Sequence, residues 1–97
     1  MPEASIIGWA HSPFGKLEAE PDLESLITRV ARAAIEDAGI SAAEIDAGFV
    51  GVFGEGFTPQ GFPASLLLQS VPEMRFKPIT RYENACATGS AAIHGAR

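Results

Sequence analysis

The sequence has one cysteine in 97 residues, which excludes an internal disulfide framework and a cysteine-based metal cluster. Bases are scarce as well. Seven lysines and arginines stand against twelve acids, for a net charge of −5. A nucleic-acid binder should carry a basic stripe, so that class is excluded. The run Leu66, Leu67 and Leu68 falls far short of the roughly 18 apolar residues that a membrane span needs. Met1, Pro2, Glu3 and Ala4 do not open a signal peptide, because no basic stretch leads into an apolar one. A cytoplasmic address with no metal and no bound cofactor is the expectation. With 46% hydrophobic and 20% charged residues the composition is that of a globular chain. A chain this short can bury only a modest core.

The charge is uneven along the chain. Residues 1–57 carry ten acids and three bases, a net −7, whereas residues 58–97 carry two acids and four bases, a net +2. A solvated acidic face on the first half accounts for this. A second half turned toward an anionic ligand would account for it too. No internal repeat or low-complexity segment is present.

Hydrophobic patterning predicts a sequence of alternating elements. Residues 4–10 form a short apolar run that ends at Ser12, Pro13, Phe14 and Gly15, the pattern of a buried strand followed by a turn. Leu23, Leu26, Ile27, Val30, Ala31, Ala34, Ile35 and Ala38 recur at helical spacing. Asp22 is placed to cap the start of that helix and Gly39 to end it, so it should span residues 22–38. Ser41 and Glu44 have capping-box spacing for a short turn. Residues 47–53 are a second strand candidate and residues 54–63, rich in glycine and proline, a loop. Pro63 fits a first helical turn leading into residues 64–71. Residues 79–84 are a third strand and residues 87–96 a helix of mostly Ala, Gly, Ser and Thr. The order β-α-β-α-β-α predicts an α/β fold with a parallel sheet. A helix so poor in side-chain bulk belongs between other layers, and the chain ends at Arg97 without a stop signal, as though cut in mid-helix.

Cys86 falls at the junction of the third strand and this helix. Helix N-termini favour thiolates, and their free N–H groups can stabilise an oxyanion. Small neighbours leave room for a substrate carbonyl, an arrangement suited to covalent acyl transfer. A structural cysteine is the alternative. His94 lies on the same helix about 12 Å further along its axis, too far to act as base. His11 falls in the turn after the first strand. No local Cys–His pair is evident, and the weak similarity of this stretch to cysteine-protease signatures lacks the matching His and Asn context.

Three motifs in order resemble the thiolase family. Ser12-Pro13-Phe14-Gly15-Lys16 is similar to the thiolase turn after the first strand. Ala34-Ile35-Glu36-Asp37-Ala38-Gly39-Ile40, with Glu44-Ile45-Asp46, resembles the end of the first thiolase helix. Glu83-Asn84-Ala85-Cys86-Ala87-Thr88-Gly89-Ser90-Ala91-Ala92 resembles the nucleophile motif. The Glu-Asn-Ala-Cys form is most similar to the sterol-carrier-protein-associated thiolases and their acetyl-CoA acetyltransferase relatives.

The resemblance implies that residues 1–97 are the N-terminal part of a thiolase N-terminal domain, ending within the nucleophile helix. Cys86 would take an acyl group from an acyl-CoA as a thioester, in carbon–carbon bond formation or cleavage, with its backbone N–H in an oxyanion hole. Coenzyme A thioester would be the substrate, and the setting lipid metabolism. The family fold buries the nucleophile helix in a middle layer. Its activating histidines, second cysteine and most of its coenzyme A site lie in later segments. The chain alone is therefore expected to be inactive or nearly so.

The resemblance also suggests a homodimer through residues 79–84, Ile79 to Asn84. Antiparallel pairing of two copies about Tyr82 would set Arg81 opposite Glu83 twice. The alternatives are a ketoacyl synthase or hydroxymethylglutaryl-CoA synthase type of condensing enzyme, and a non-catalytic small subunit that needs a second chain to supply the missing part of the fold.

Overall fold

The computed structural model describes residues 3–16, 22–54 and 61–97. Most of the loop expected over residues 54–63 lies outside the described residues. The first helix, α1 (Leu23–Ala38), forms where its periodicity places it. The Asp22 carboxylate accepts the Ser25 N–H at 2.8 Å, which satisfies one of the donors left open at a helix start. Gly39 ends the helix in the left-handed region at φ 70°, its N–H donating to the Glu36 carbonyl at 3.0 Å. The capping box also forms. The Ser41 hydroxyl and the Glu44 carboxylate cap a 3₁₀ turn at Ala42–Glu44 reciprocally.

Strand β1 (Gly48–Gly51) pairs in parallel with β2 (Ile79–Tyr82), Gly48 opposite Ile79 and Gly51 opposite Tyr82. The crossover between them runs through a 3₁₀ turn at Pro63–Ser65, helix α2 (Leu66–Ser70) and a second turn at Pro72–Met74. Pro63 occupies the first turn of its element, where a missing N–H costs nothing. The last helix, α3 (Thr88–Ala96), follows a 3₁₀ turn at Ala85–Ala87. The α/β class with a parallel sheet is thus the observed one.

The core is small. Ala42, Val71 and Met74 are buried, and Ala31, Ile35, Ile45, Leu67, Leu68 and Ile79 pack against them. Polar staples hold the surrounding elements. The hydroxyls of Thr28 and buried Ser70 share a hydrogen bond of 2.7 Å, and Arg32 Nε donates to the Ser70 carbonyl at 3.0 Å. Together they tie α1 to α2. Lys77 Nζ donates to the carbonyls of Ala43 and Ile45, fixing the capped turn to the segment before β2.

The expected first strand is not formed. Residues 4–10 make no ladder with β1 or β2 and lie across the end of α1. The Trp9 N–H donates to the Asp37 carboxylate at 3.0 Å, and Gly8 packs against Ala38 so closely that a Cβ there would meet its backbone N at 2.6 Å. A parallel strand is stabilised by ladder bonds and by cover on both faces. Here the cover is lacking, and Ile6 and Trp9 stay 80% and 66% exposed. The turn after this segment keeps its place as a bend at Phe14 and Gly15.

The third strand is shorter than residues 79–84, because the backbone turns at Asn84 and Ala85. The last helix lies on the sheet by one face only. Gly95 abuts the Tyr82 ring and Thr88 is buried, while Ile93 on the other face is 62% exposed. Phe53, Phe62 and Phe76 are exposed too.

Two outcomes test this packing. Met74→Ala opens a cavity in the core and should cost about 2–5 kcal/mol in chemical denaturation, whereas Phe76→Ala should leave the midpoint unchanged. The N-cap bond to Ser25 holds the Asp22 carboxyl below its usual value of 3.8. A carboxyl lowered by folding stabilises above its unfolded value and stops doing so as pH falls through the folded one. Asp22→Ala should therefore lower thermal stability at pH 7, and the gap to the unaltered chain should close as the pH falls below 3.8.

Candidate functional site

Cys86 sits in the tight turn between β2 and α3, its thiol free and exposed. The turn is made by the residue before it. Ala85 has φ 46°, in the left-handed region that a Cβ disfavours. Two side chains hold the backbone there. The Glu83 carboxylate accepts the Ala85 N–H. The Thr88 hydroxyl accepts the Asn84 N–H at 2.9 Å and donates to the Ala85 carbonyl at 2.7 Å. The Ala87 N–H closes the turn on the Asn84 carbonyl at 2.9 Å.

The sheet fixes where this turn lies. Gly51 ends β1 opposite Tyr82, and a Cβ built on it would come within 2.9 Å of the Thr88 methyl and 3.1 Å of the Thr88 carbonyl oxygen. The absence of a side chain at Gly51 is what lets the start of α3 rest on the strand end. The Phe49 and Tyr82 rings meet at 5.8 Å on the same ladder.

The two histidines are elsewhere. The His11 ring stacks on Trp9 at 5.2 Å and its Nδ1–H donates to the Ser12 carbonyl at 2.7 Å. His94 is exposed in the last turn of α3. Among the described residues no hydrogen bond joins either histidine to Cys86. No group of three side chains there is placed to hold a metal ion. None of the described helices is long and apolar enough to cross a membrane.

Two features escaped the sequence. Thr88 is one of several small residues in its helix, and only the fold shows its hydroxyl turned back onto residues 84 and 85. An open apolar groove of ≈ 510 Å³ also runs between α1 and β1, lined by Leu26, Ile27 and Val30 on one side and Phe49 and Val50 on the other, with Ala10 also in its lining. The apolar residues of α1 share one face, as their helical spacing requires. That face is half-buried along its length and borders this groove.

No family model matches the chain. Curated relatives do. An acetyl-CoA acetyltransferase of Methanocaldococcus jannaschii is 38% identical over 97 aligned positions, 99% of this chain. Another, from Methanothermobacter thermautotrophicus, is 33% identical over 93 residues, 96% of this chain. In each case the chain spans only 24% of the relative's length. These similarities run along nearly the whole chain and support its resemblance to a thiolase-family segment, with the exposed cysteine turn following a parallel strand.

Proposed function

We propose that this chain carries the acyl-accepting nucleophile of a thiolase-type acetyl-CoA acetyltransferase, with Cys86 in that role. The observation that carries the reading is the exposed thiol on a braced turn at the start of α3, in a chain similar to acetyl-CoA acetyltransferases over 96% of its residues. The Cys86 thiolate attacks the thioester carbonyl of an acyl-CoA. A new carbon–sulfur bond forms, the bond to coenzyme A breaks, and the departing coenzyme A thiolate takes up a proton. The enzyme-bound acyl group then passes to a second acyl-CoA carbanion or back to coenzyme A. The resemblance to sterol-carrier-protein-associated thiolases supports a place in lipid metabolism.

A base and the rest of the coenzyme A site are needed for turnover. Neither His11 nor His94 is bonded to Cys86, and three-quarters of the relatives' length has no counterpart here. That remainder, as further chain or as a second polypeptide, supplies them in this reading. It also covers the exposed apolar residues on α3. A second copy of the chain fits the outer edge of β2, which has no ladder partner among the described residues. Antiparallel pairing about Tyr82 brings Arg81 and Glu83 together twice, each pair contributing about 0.2–1 kcal/mol.

Incubation of the purified chain with acetyl-CoA should add a single acetyl group, seen by intact mass, mapped to Cys86 and absent from Cys86→Ser. Coenzyme A release should stop at one equivalent. An adduct that survives Cys86→Ser would overturn the assignment of the nucleophile, and sustained turnover would overturn the need for a further segment. In sedimentation, the chain should be dimeric and Arg81→Glu should shift it toward monomer; an unchanged dimer would reject the strand pairing.

A further inference from the structure

Thr88 is 7% exposed, yet its hydroxyl caps nothing in its own helix. At a helix start a threonine ordinarily accepts an N–H from further along the first turn. This one points the other way, toward the turn that carries Cys86. It accepts from the Asn84 N–H and donates to the Ala85 carbonyl, so the peptide groups before Asn84 and after the left-handed Ala85 are tied to one oxygen. Its methyl group rests on Gly51 at the end of β1.

We propose that Thr88 is the positioning residue for Cys86, resting on the reading of that cysteine as the acyl-accepting nucleophile. The left-handed conformation of Ala85 is disfavoured in isolation. An alternative backbone without it would rotate the Cys86 peptide away from the start of α3. The hydroxyl of Thr88 opposes that rotation by bonding on both sides of the strained residue, and the methyl on Gly51 fixes the hydroxyl to the sheet. The bond to Glu83 does not replace it. That carboxylate holds only the Ala85 N–H and is exposed.

Threonine combines a hydroxyl and a methyl, and two substitutions separate them. Thr88→Val keeps the packing on Gly51 and removes both hydrogen bonds. Thr88→Ser keeps the bonds and removes the methyl. The rate of alkylation of Cys86 by iodoacetamide, followed by intact mass, reports the thiol without requiring acetyl-CoA. Amide exchange at Asn84 reports the bond itself.

In Thr88→Val the alkylation rate should fall about threefold or more and Asn84 exchange should quicken about tenfold, with the helical circular dichroism retained. Thr88→Ser should keep both within about twofold of the unaltered chain. Adding Ala85→Gly to Thr88→Val should restore much of the alkylation rate, because glycine adopts the left-handed turn without support. A folded Thr88→Val with an unchanged alkylation rate would overturn the proposal. So would unprotected exchange at Asn84 in the unaltered chain, a measurement that needs no variant and decides the matter if Thr88→Val does not fold. Loss of the acetyl adduct from the unaltered chain alone would count against the nucleophile reading and leave the positioning result standing.

Discussion

The parallel ladder between Gly48–Gly51 and Ile79–Tyr82 brings two strand ends level with each other, and the start of α3 is seated where they stop. The turn that presents Cys86 depends on that alignment. Gly51 is opposite Tyr82, Thr88 lies on Gly51, and the Thr88 oxygen holds residues 84 and 85. The core beneath the ladder is made by the crossover, through Val71 and Met74, so the elements that join the strands also set their height. A short sheet of this kind has few hydrogen bonds to spare. Its stability comes from α2 and the turns packed under it, and from the staples of Arg32, Ser70 and Lys77 around it.

Local signals were the most legible. Asp22, Gly39, Ser41, Glu44 and Pro63 each act where their chemistry places them, because capping is decided within a few residues and needs no distant partner. The parallel pairing of the second and third expected strands follows from the intervening helix. The first expected strand was a different matter. Its apolar run satisfies a strand pattern, but a strand is stabilised by neighbours, and Ile6 and Trp9 find none that cover them. The residues hold instead to α1 through Trp9 and Gly8, contacts that no periodicity encodes.

At the site the sequence singled out the cysteine and the helix start, and with them the motif that resembles the thiolase family. It did not disclose how the turn is held. A left-handed alanine has no sequence signature, since glycine or asparagine is the usual occupant. The double role of the Thr88 hydroxyl depends on where the backbone of residues 84 and 85 goes, which is fixed by the sheet and not by neighbouring letters. The bare composition of α3 pointed to a helix between layers. One layer is present, and Ile93 on the other face is left exposed.

The bare end of β1 has a consequence for how the chain finds its strand alignment. Gly51 is flanked by Val50 and Val52. A slip of one position along the ladder would turn the strand over and set a branched side chain under Thr88 in place of hydrogen. The helix start would be lifted from the sheet, and the bonds that shape the cysteine turn would be pulled open. Only one alignment of the two strands is compatible with a formed cysteine turn. The cysteine turn thus acts as an error check on strand pairing, and a misaligned chain cannot present the thiol in its braced form.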